Sequence, residues 1–259
     1  RWIEKTNQEG RRIYNQCGTL RQGFVLTYAD WNLFDGSDVW RELTMGTPTE
    51  RLQKFKNPAM RQALRAEYDA GHTPIVTGSI KDFMIESVNE KYVGLTVEQI
   101  ATMENKHPID AMIDLTIADD MKTEFITPAR NQREDFATEL MSSEYSIPGV
   151  SDGGAHTKFT TLGTYPTDLL TWMVRDAGFM SLEEAHYRLS ALPAKCAGFQ
   201  DRGVLKQGAP ADVVVYDLEN LKVTPEKMAV VHDFPAGEWR RVQYAEGYRW
   251  IMVNGDVTF

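Results

Sequence analysis

Cysteine is almost missing from this chain. Cys17 and Cys196 are the only two in 259 residues, and neither sits in a CxxC pattern. No disulfide framework can rest on them, and a reducing, cytoplasmic setting is expected. No stretch approaches the roughly 20 apolar residues that a membrane span needs. Long basic runs are absent too, and 28 Lys and Arg face 37 Asp and Glu, a net charge of −9. That balance argues against nucleic acid or an anionic membrane surface as a partner. The five histidines (His72, His107, His156, His186, His232) include no pair one residue apart, and no three His or Cys stand at zinc-ligand spacing. The chain opens on Arg1 with neither an initiator Met nor a signal-peptide pattern, and it shows no internal repeat. What is present, 42% apolar and 25% charged residues, is the composition of a soluble globular protein. The length suits one large domain, or one with an appendage.

The most informative stretch is Ser146-Ile147-Pro148-Gly149-Val150 followed by Ser151-Asp152-Gly153-Gly154-Ala155-His156. The first part has the apolar character of a buried parallel strand. A carboxylate and two glycines at its end predict a strand that finishes at an active-site rim, where the backbone turns sharply. Asp-Gly-Gly is also an ordinary turn, and the pattern alone leaves both readings open.

Elsewhere, residues 1–10 read as the end of a helix, and Arg12 to Cys17 as a strand with a polar end, at an edge or facing a site. From Gly18 to about Ser146 there is no clean βαβ rhythm. Aromatic residues crowd positions 24–40 (Phe24, Tyr28, Trp31, Phe34, Trp40) and are expected in a core. Helices are expected at 57–70 (Asn57 cap, Pro58 in the first turn, Gly71 at the end), at Thr96–Asn105 behind a Thr96/Gln99 capping box, at Pro108–Ala118 and at Arg130–Ser142. Short strands are expected near 80–85 and 122–127. After the Asp152 loop come an apolar helix over 161–178, a second capping box at Ser181–Glu184, and a short helix from Pro193 to Gly198. The tail reads as β structure, with Ala211–Asp217 a strand and Asn254-Gly255 a hairpin turn. Both cysteines are expected to be buried small apolar residues.

Gly149 to His156 resembles the last barrel strand of the amidohydrolase superfamily, nearest its N-acyl-D-amino-acid deacylase (D-aminoacylase) branch. Leu189-Ser190-Ala191-Leu192-Pro193-Ala194-Lys195, then Arg202-Gly203-Val204-Leu205 and Gly208 through Asp217, resembles the stretch by which such enzymes leave the barrel for a small β-sandwich. Val253-Asn254-Gly255 resembles its closing hairpin. Lys106-His107-Pro108-Ile109-Asp110-Ala111 is similar to part of a large lid insertion. The resemblance implies an α/β fold: the C-terminal part of a (β/α)8 TIM barrel over residues 1–204, with a lid insertion about 19–145, and β-sandwich strands over 205–259.

It also implies a zinc-dependent hydrolase acting on a C–N amide bond, most simply deacylating an N-acyl (D-)amino acid. Complete members carry an HxH motif on the first strand, a bridging Cys, Lys or carboxylate, and two more histidines on middle strands. None is recognisable here. The expectation is therefore a C-terminal half whose one or two zinc ions are held mainly by a missing N-terminal half or a partner chain. A homo-oligomer stays open. Asp152 matches the carboxylate that shuttles the proton, and it is also placed to touch the metal. His156 is a candidate to bond the substrate or hold Asp152, with a structural surface histidine as the equal alternative. Members of the branch place an Arg after the catalytic Asp for the substrate carboxylate, whereas here Lys158 is the one cation in 157–161. Tyr14 and Gln16 are pocket candidates, with packing or rim solvation as the alternative. Two other readings remain: a cyclic-amide hydrolase of the hydantoinase or dihydroorotase kind, and a non-catalytic, degenerate subunit.

Overall fold

Two compact units make up this chain, a computed structural model describing residues 2–30, 34, 36–72, 78–129, 133–151 and 154–259. One unit comprises Arg1–Arg21 with Asn131–Phe259, and the second is Gln22–Arg130. The second is thus inserted, in sequence, into the first.

The first unit opens with helix α1 (Trp2–Gln8) and strand β1 (Asn15–Cys17). The Asn7 side chain ties the two, donating to the Ile13 carbonyl and accepting from the Ile13 amide, both at 2.7 Å.

The inserted unit begins with β2 (Val25–Leu26), then α2 (Asp38–Thr44), α3 (Pro48–Lys56) and α4 (Pro58–Asp69). Asn57 caps α4 through the amides of Ala59 and Met60, with Pro58 in the first turn as expected. Helices α2 and α3 were not expected from sequence, although Thr47 and Glu50 form a complete capping box on α3. There follow β3 (Met84–Ser87), α5 (Val97–Glu104, with the Thr96/Gln99 box formed), α6 (Pro108–Ala118) and β4 (Glu124–Ile126). Strand β4 lies between β2 and β3, antiparallel to both.

The aromatic cluster is core, as expected. Tyr28 packs on Phe34, Trp40, Phe55 and Phe125, and its hydroxyl reaches the Met112 sulfur at 3.2 Å. Burial pushes that phenol well above its usual range. Trp31, named with the cluster, lies outside the described residues. Helix α6 buries Ile109, Met112, Ile113 and Leu115. Its Asp110, also buried, is paired with Arg61 and Arg65, and Asp114 with Arg61 and Lys106. A buried carboxylate needs such partners.

Back in the first unit come α7 (Glu134–Ser142) and β5 (Ser146–Pro148). Strand β5 pairs in parallel with β1, with Asn15 opposite Ser146, Gln16 opposite Ile147 and Cys17 opposite Pro148. The expected parallel strand is therefore present, although β1 starts only at Asn15. Helix α8 (Tyr165–Asp168) continues over Leu169–Asp176 as a wider, π-type coil. It supplies Leu169, Leu170, Trp172 and Met173 to a core shared with Cys17, Ala137, Met141, Ala185 and Leu221.

Helix α9 (Leu182–His186) is capped by Ser181, which accepts from the Glu184 amide. The expected second capping box is half formed, because the Glu184 carboxylate takes the Arg188 Nε–H at 2.6 Å. Arg188 is only 4% exposed and also donates to the carbonyls of Ser143 and Ser146, anchoring the start of β5. After α10 (Leu192–Ala197) the tail is β6 (Val213–Tyr216), β7 (Lys222–Val231), β8 (Arg240–Glu246), β9 (Tyr248–Val253) and β10 (Asp256–Val257). These form a β10-β9-β6 sheet and an antiparallel β7-β8 pair. The Asn-Gly turn has both residues at positive φ, Asn254 at 53° and Gly255 at 90°, as a type I′ hairpin demands. Cys17 is buried but Cys196 is exposed, which corrects the expectation for the latter: the six-residue α10 buries only Leu192. Among the described residues no helix is long and apolar enough to cross a membrane.

One buried acid in this unit makes stability depend on pH. Asp168 is largely buried, and its Oδ2 has no hydrogen-bond partner. Burial holds its pKa above the ordinary value against the pull of Arg21, 3.4 Å away. The folded state therefore binds this proton more tightly than the unfolded chain does. The ionised form disfavours folding, so this contribution falls as pH rises from the ordinary carboxylate pKa through the raised one. Asp168→Asn is expected to be at least as stable as wild type at pH 7 and to lose less stability between pH 4 and 7. Denaturant titrations at both pH values check this, and a variant less stable at pH 7 would show that the Arg21 pair outweighs burial.

Candidate functional site

The strand that the sequence singled out runs directly toward a cleft. Beyond the end of β5, Ser151 lines a cavity of about 410 Å³, together with Thr157, Thr160, Thr161, Arg241 and Gln243. One wall is the segment 154–164 and the other is β8, both within the first unit. Asp152 and Gly153 lie outside the described residues, so the position of the expected proton shuttle is not part of this geometry.

A tight turn shapes the first wall. The amides of Phe159 and Thr160 both donate to the His156 carbonyl, at 2.8 and 3.2 Å. His156 sits at positive φ (53°), a conformation that costs most residues energy and that His tolerates better than β-branched ones. Its imidazole is exposed, 6.3 Å from the Phe159 ring. Phe159 and Thr160 are buried beneath the turn.

The remaining expected site residues fall in different places. Lys158 pairs with Glu238 at 2.8 Å and lies over the Trp239 ring, and it holds the Glu238 carboxyl below its usual range. An ammonium already paired in this way is poorly suited to be the main anchor for a second carboxylate. Tyr14 is half-buried just before β1, edge-on to Tyr145 at 5.9 Å, which is packing. Gln16 is exposed on β1, opposite Ile147. Neither lines the cleft.

Sequence reasoning missed two cations of the cleft wall, Arg240 and Arg241. Arg240 is bidentate to Asp233, at 2.9 and 2.7 Å. Arg241 is 5% exposed and donates its Nε–H to the Lys158 carbonyl at 2.9 Å. The arginine pair was visible in the sequence, but nothing local links position 241 to position 158.

Among the described residues no group of three His, Cys, Asp or Glu could hold a metal. Three of the histidines have other partners: His107 caps α6 through its Nδ1, His186 meets the Tyr216 hydroxyl, and His232 meets the Gly237 carbonyl. The described residues alone therefore do not make up a zinc site, and Asp152, the one metal-touching residue expected of this chain, lies outside them.

These features define a mixed α/β protein whose polar cleft opens past the carboxyl end of a parallel strand, the usual place for a small-molecule site in α/β proteins. The chain belongs to the amidohydrolase family, whose profile matches residues 22–259. An uncharacterized protein of Mycobacterium tuberculosis is 28% identical over 272 residues, covering 96% of this chain and 42% of its own length. The chain thus spans less than half the length of that relative. N-acyl-D-aspartate deacylase of Alcaligenes xylosoxydans xylosoxydans is 33% identical over 93 residues, 36% of this chain and 16% of its own. A crystal structure of N-acyl-D-glutamate deacylase from Bordetella bronchiseptica, complexed with zinc and a phosphonate inhibitor, is 26% identical. It aligns with a TM-score of 0.40 over 70% of this chain and 35% of its own.

Proposed function

We propose that the chain is part of an amidohydrolase that cleaves a C–N amide bond, with N-acyl-D-amino acids as the substrate class. The observation that carries this reading is the sequence run Gly149-Val150-Ser151-Asp152-Gly153-Gly154, which follows β5 in a chain of this family. The similarity to N-acyl-D-aspartate deacylase supports the substrate class.

In this reading Asp152 takes the proton of the attacking water and returns it to the departing amine, the task of a carboxylate acting as general base and then general acid. His156 and the Thr157–Thr161 segment form the substrate-side wall. The zinc implied by the resemblance belongs, in this proposal, to residues of the complete protein outside this chain. The insertion of 22–130 between β1 and β5 supports reading it as an added lid unit on a barrel-derived frame. Strands β6 to β10 support the β-sandwich reading of the tail.

The test is a substrate panel with the full-length protein: N-acetyl-D-aspartate, N-acetyl-D-glutamate and neutral N-acetyl-D-amino acids, their L-enantiomers, and a hydantoin and dihydroorotate. Release of free D-amino acid is the expected result. Ring opening alone would move the assignment to the cyclic-amide class, and no turnover on any member, with metal supplied, would favour a non-catalytic subunit.

A further inference from the structure

Several contacts to the turn after Asp152 come from one strand some eighty positions later in the chain. The Arg241 amide donates to the Thr157 carbonyl at 2.8 Å, and the Arg241 Nε–H donates to the Lys158 carbonyl at 2.9 Å. Thr161 and Gln243 share a side-chain hydrogen bond, and Lys158 pairs with Glu238 just before the strand. Residues 241 and 243 lie on the same side of an extended strand, so β8 presents a row of groups to one short segment. Arg241 is the buried member of that row, with its guanidinium 5.6 Å from the Trp239 ring. A charge-assisted bond from a fixed planar donor holds a carbonyl in both distance and direction.

From this we infer that Arg241 is a positioning residue: it fixes the turn 156–160, and with it the carboxyl side of the Asp152 loop. The tail strand β8 therefore serves the site as well as the fold. Nothing in this role requires Arg241 to touch substrate. The catalytic consequence rests on the proposed role of Asp152, whereas the mechanical one stands on the contacts alone.

The experiment uses full-length Arg241→Met and Arg241→Lys, the second as the milder change should the first fail to fold. Amide hydrogen exchange over 154–161 needs no substrate. It is expected to quicken at least about tenfold, as a local opening, with the β9 amides unchanged. On the best substrate of the panel, well below the variant's Tm, kcat is expected to fall at least about tenfold with KM within about threefold, because small misplacements of catalytic groups are costly in rate. Lysine should not restore the rate, since an ammonium lacks the fixed Nε–H direction. A merely structural arginine would lower Tm and leave kcat per folded molecule unchanged, and that result would overturn the inference. Unchanged exchange at 154–161 would overturn it as well. If the wild-type protein hydrolyses nothing, the functional reading falls, and the exchange measurement still decides whether Arg241 holds the turn.

Discussion

Asp152→Asn in the full-length protein is expected to lower kcat by at least about a hundredfold, the lower end of what general acid–base catalysis contributes. KM should change little, because the amide keeps the shape of the carboxylate and loses its basicity. The same variant separates three roles. A turn-forming Asp tolerates Asn, which suits the same turn, and activity would survive. An Asp that is primarily a metal ligand would lose metal together with rate. A proton shuttle loses rate and keeps whatever metal the wild type holds. Turnover and metal content measured on one preparation distinguish the outcomes, and near-wild-type kcat would remove Asp152 from the mechanism.

Trp40→Ala should be the most damaging core change in the inserted unit. Trp40 is 1% exposed, stacked on Phe34 at 4.8 Å and on Tyr28 at 6.3 Å. Truncating a buried aromatic side chain costs about 3–5 kcal/mol, from lost transfer energy and the cavity left behind. Tyr28 raises the stakes, because it touches three other rings besides Trp40 and its hydroxyl depends on Met112 for a partner. Denaturant unfolding followed by circular dichroism is the measurement. A loss below about 1 kcal/mol would show that the cluster can collapse around the gap.

Features with a local cause could be read from the sequence in advance. Asn57-Pro58 at α4, the Thr96/Gln99 box at α5 and the Asn254-Gly255 hairpin each draw their conformation from neighbouring residues. The apolar run into β5 was legible for the same reason. Helix α3 escaped because Phe55 is its only buried residue, so apolar periodicity is almost absent even though its capping box was there to see. Strand β7 escaped because its sequence does not alternate cleanly and its register with β8 shifts between Thr224 and Ala229. The π-type coil at Leu169–Asp176 has no compositional mark that separates it from an α-helix.

For the site, the strand was legible, and the family resemblance read from it and the following residues agrees with the family match. The contacts that hold the turn at 157–161 were not. They join residues about eighty positions apart, and chain folding alone brings such partners together. Lys158 illustrates the limit: the sequence showed a nearby cation but not the Glu238 carboxylate that engages it.

The zipped base of the inserted unit has a consequence for how the chain comes together. Val25 pairs with Ile126 and Leu26 with Phe125, the Thr127 amide donates to the Phe24 carbonyl, and the Thr127 hydroxyl accepts from the Phe24 amide. The approach is so close that a Cβ on Gly23 would lie 2.1 Å from the Thr127 carbonyl oxygen. Strand β1 must find β5 across this insertion, since Asn15 pairs with Ser146. If the inserted unit folds first, Phe24 and Thr127 are already side by side, and the loop left to close is about fivefold shorter. At about 0.6 kcal/mol per halving of loop length, that relieves roughly 1.4 kcal/mol of closure entropy. A ribosome would release β1 long before its partner exists, and the inserted unit would spend that interval converting a distant pairing into a near one. The same adjacency makes the span between Phe24 and Thr127 a cassette: a short turn in its place should leave β1 and β5 free to meet.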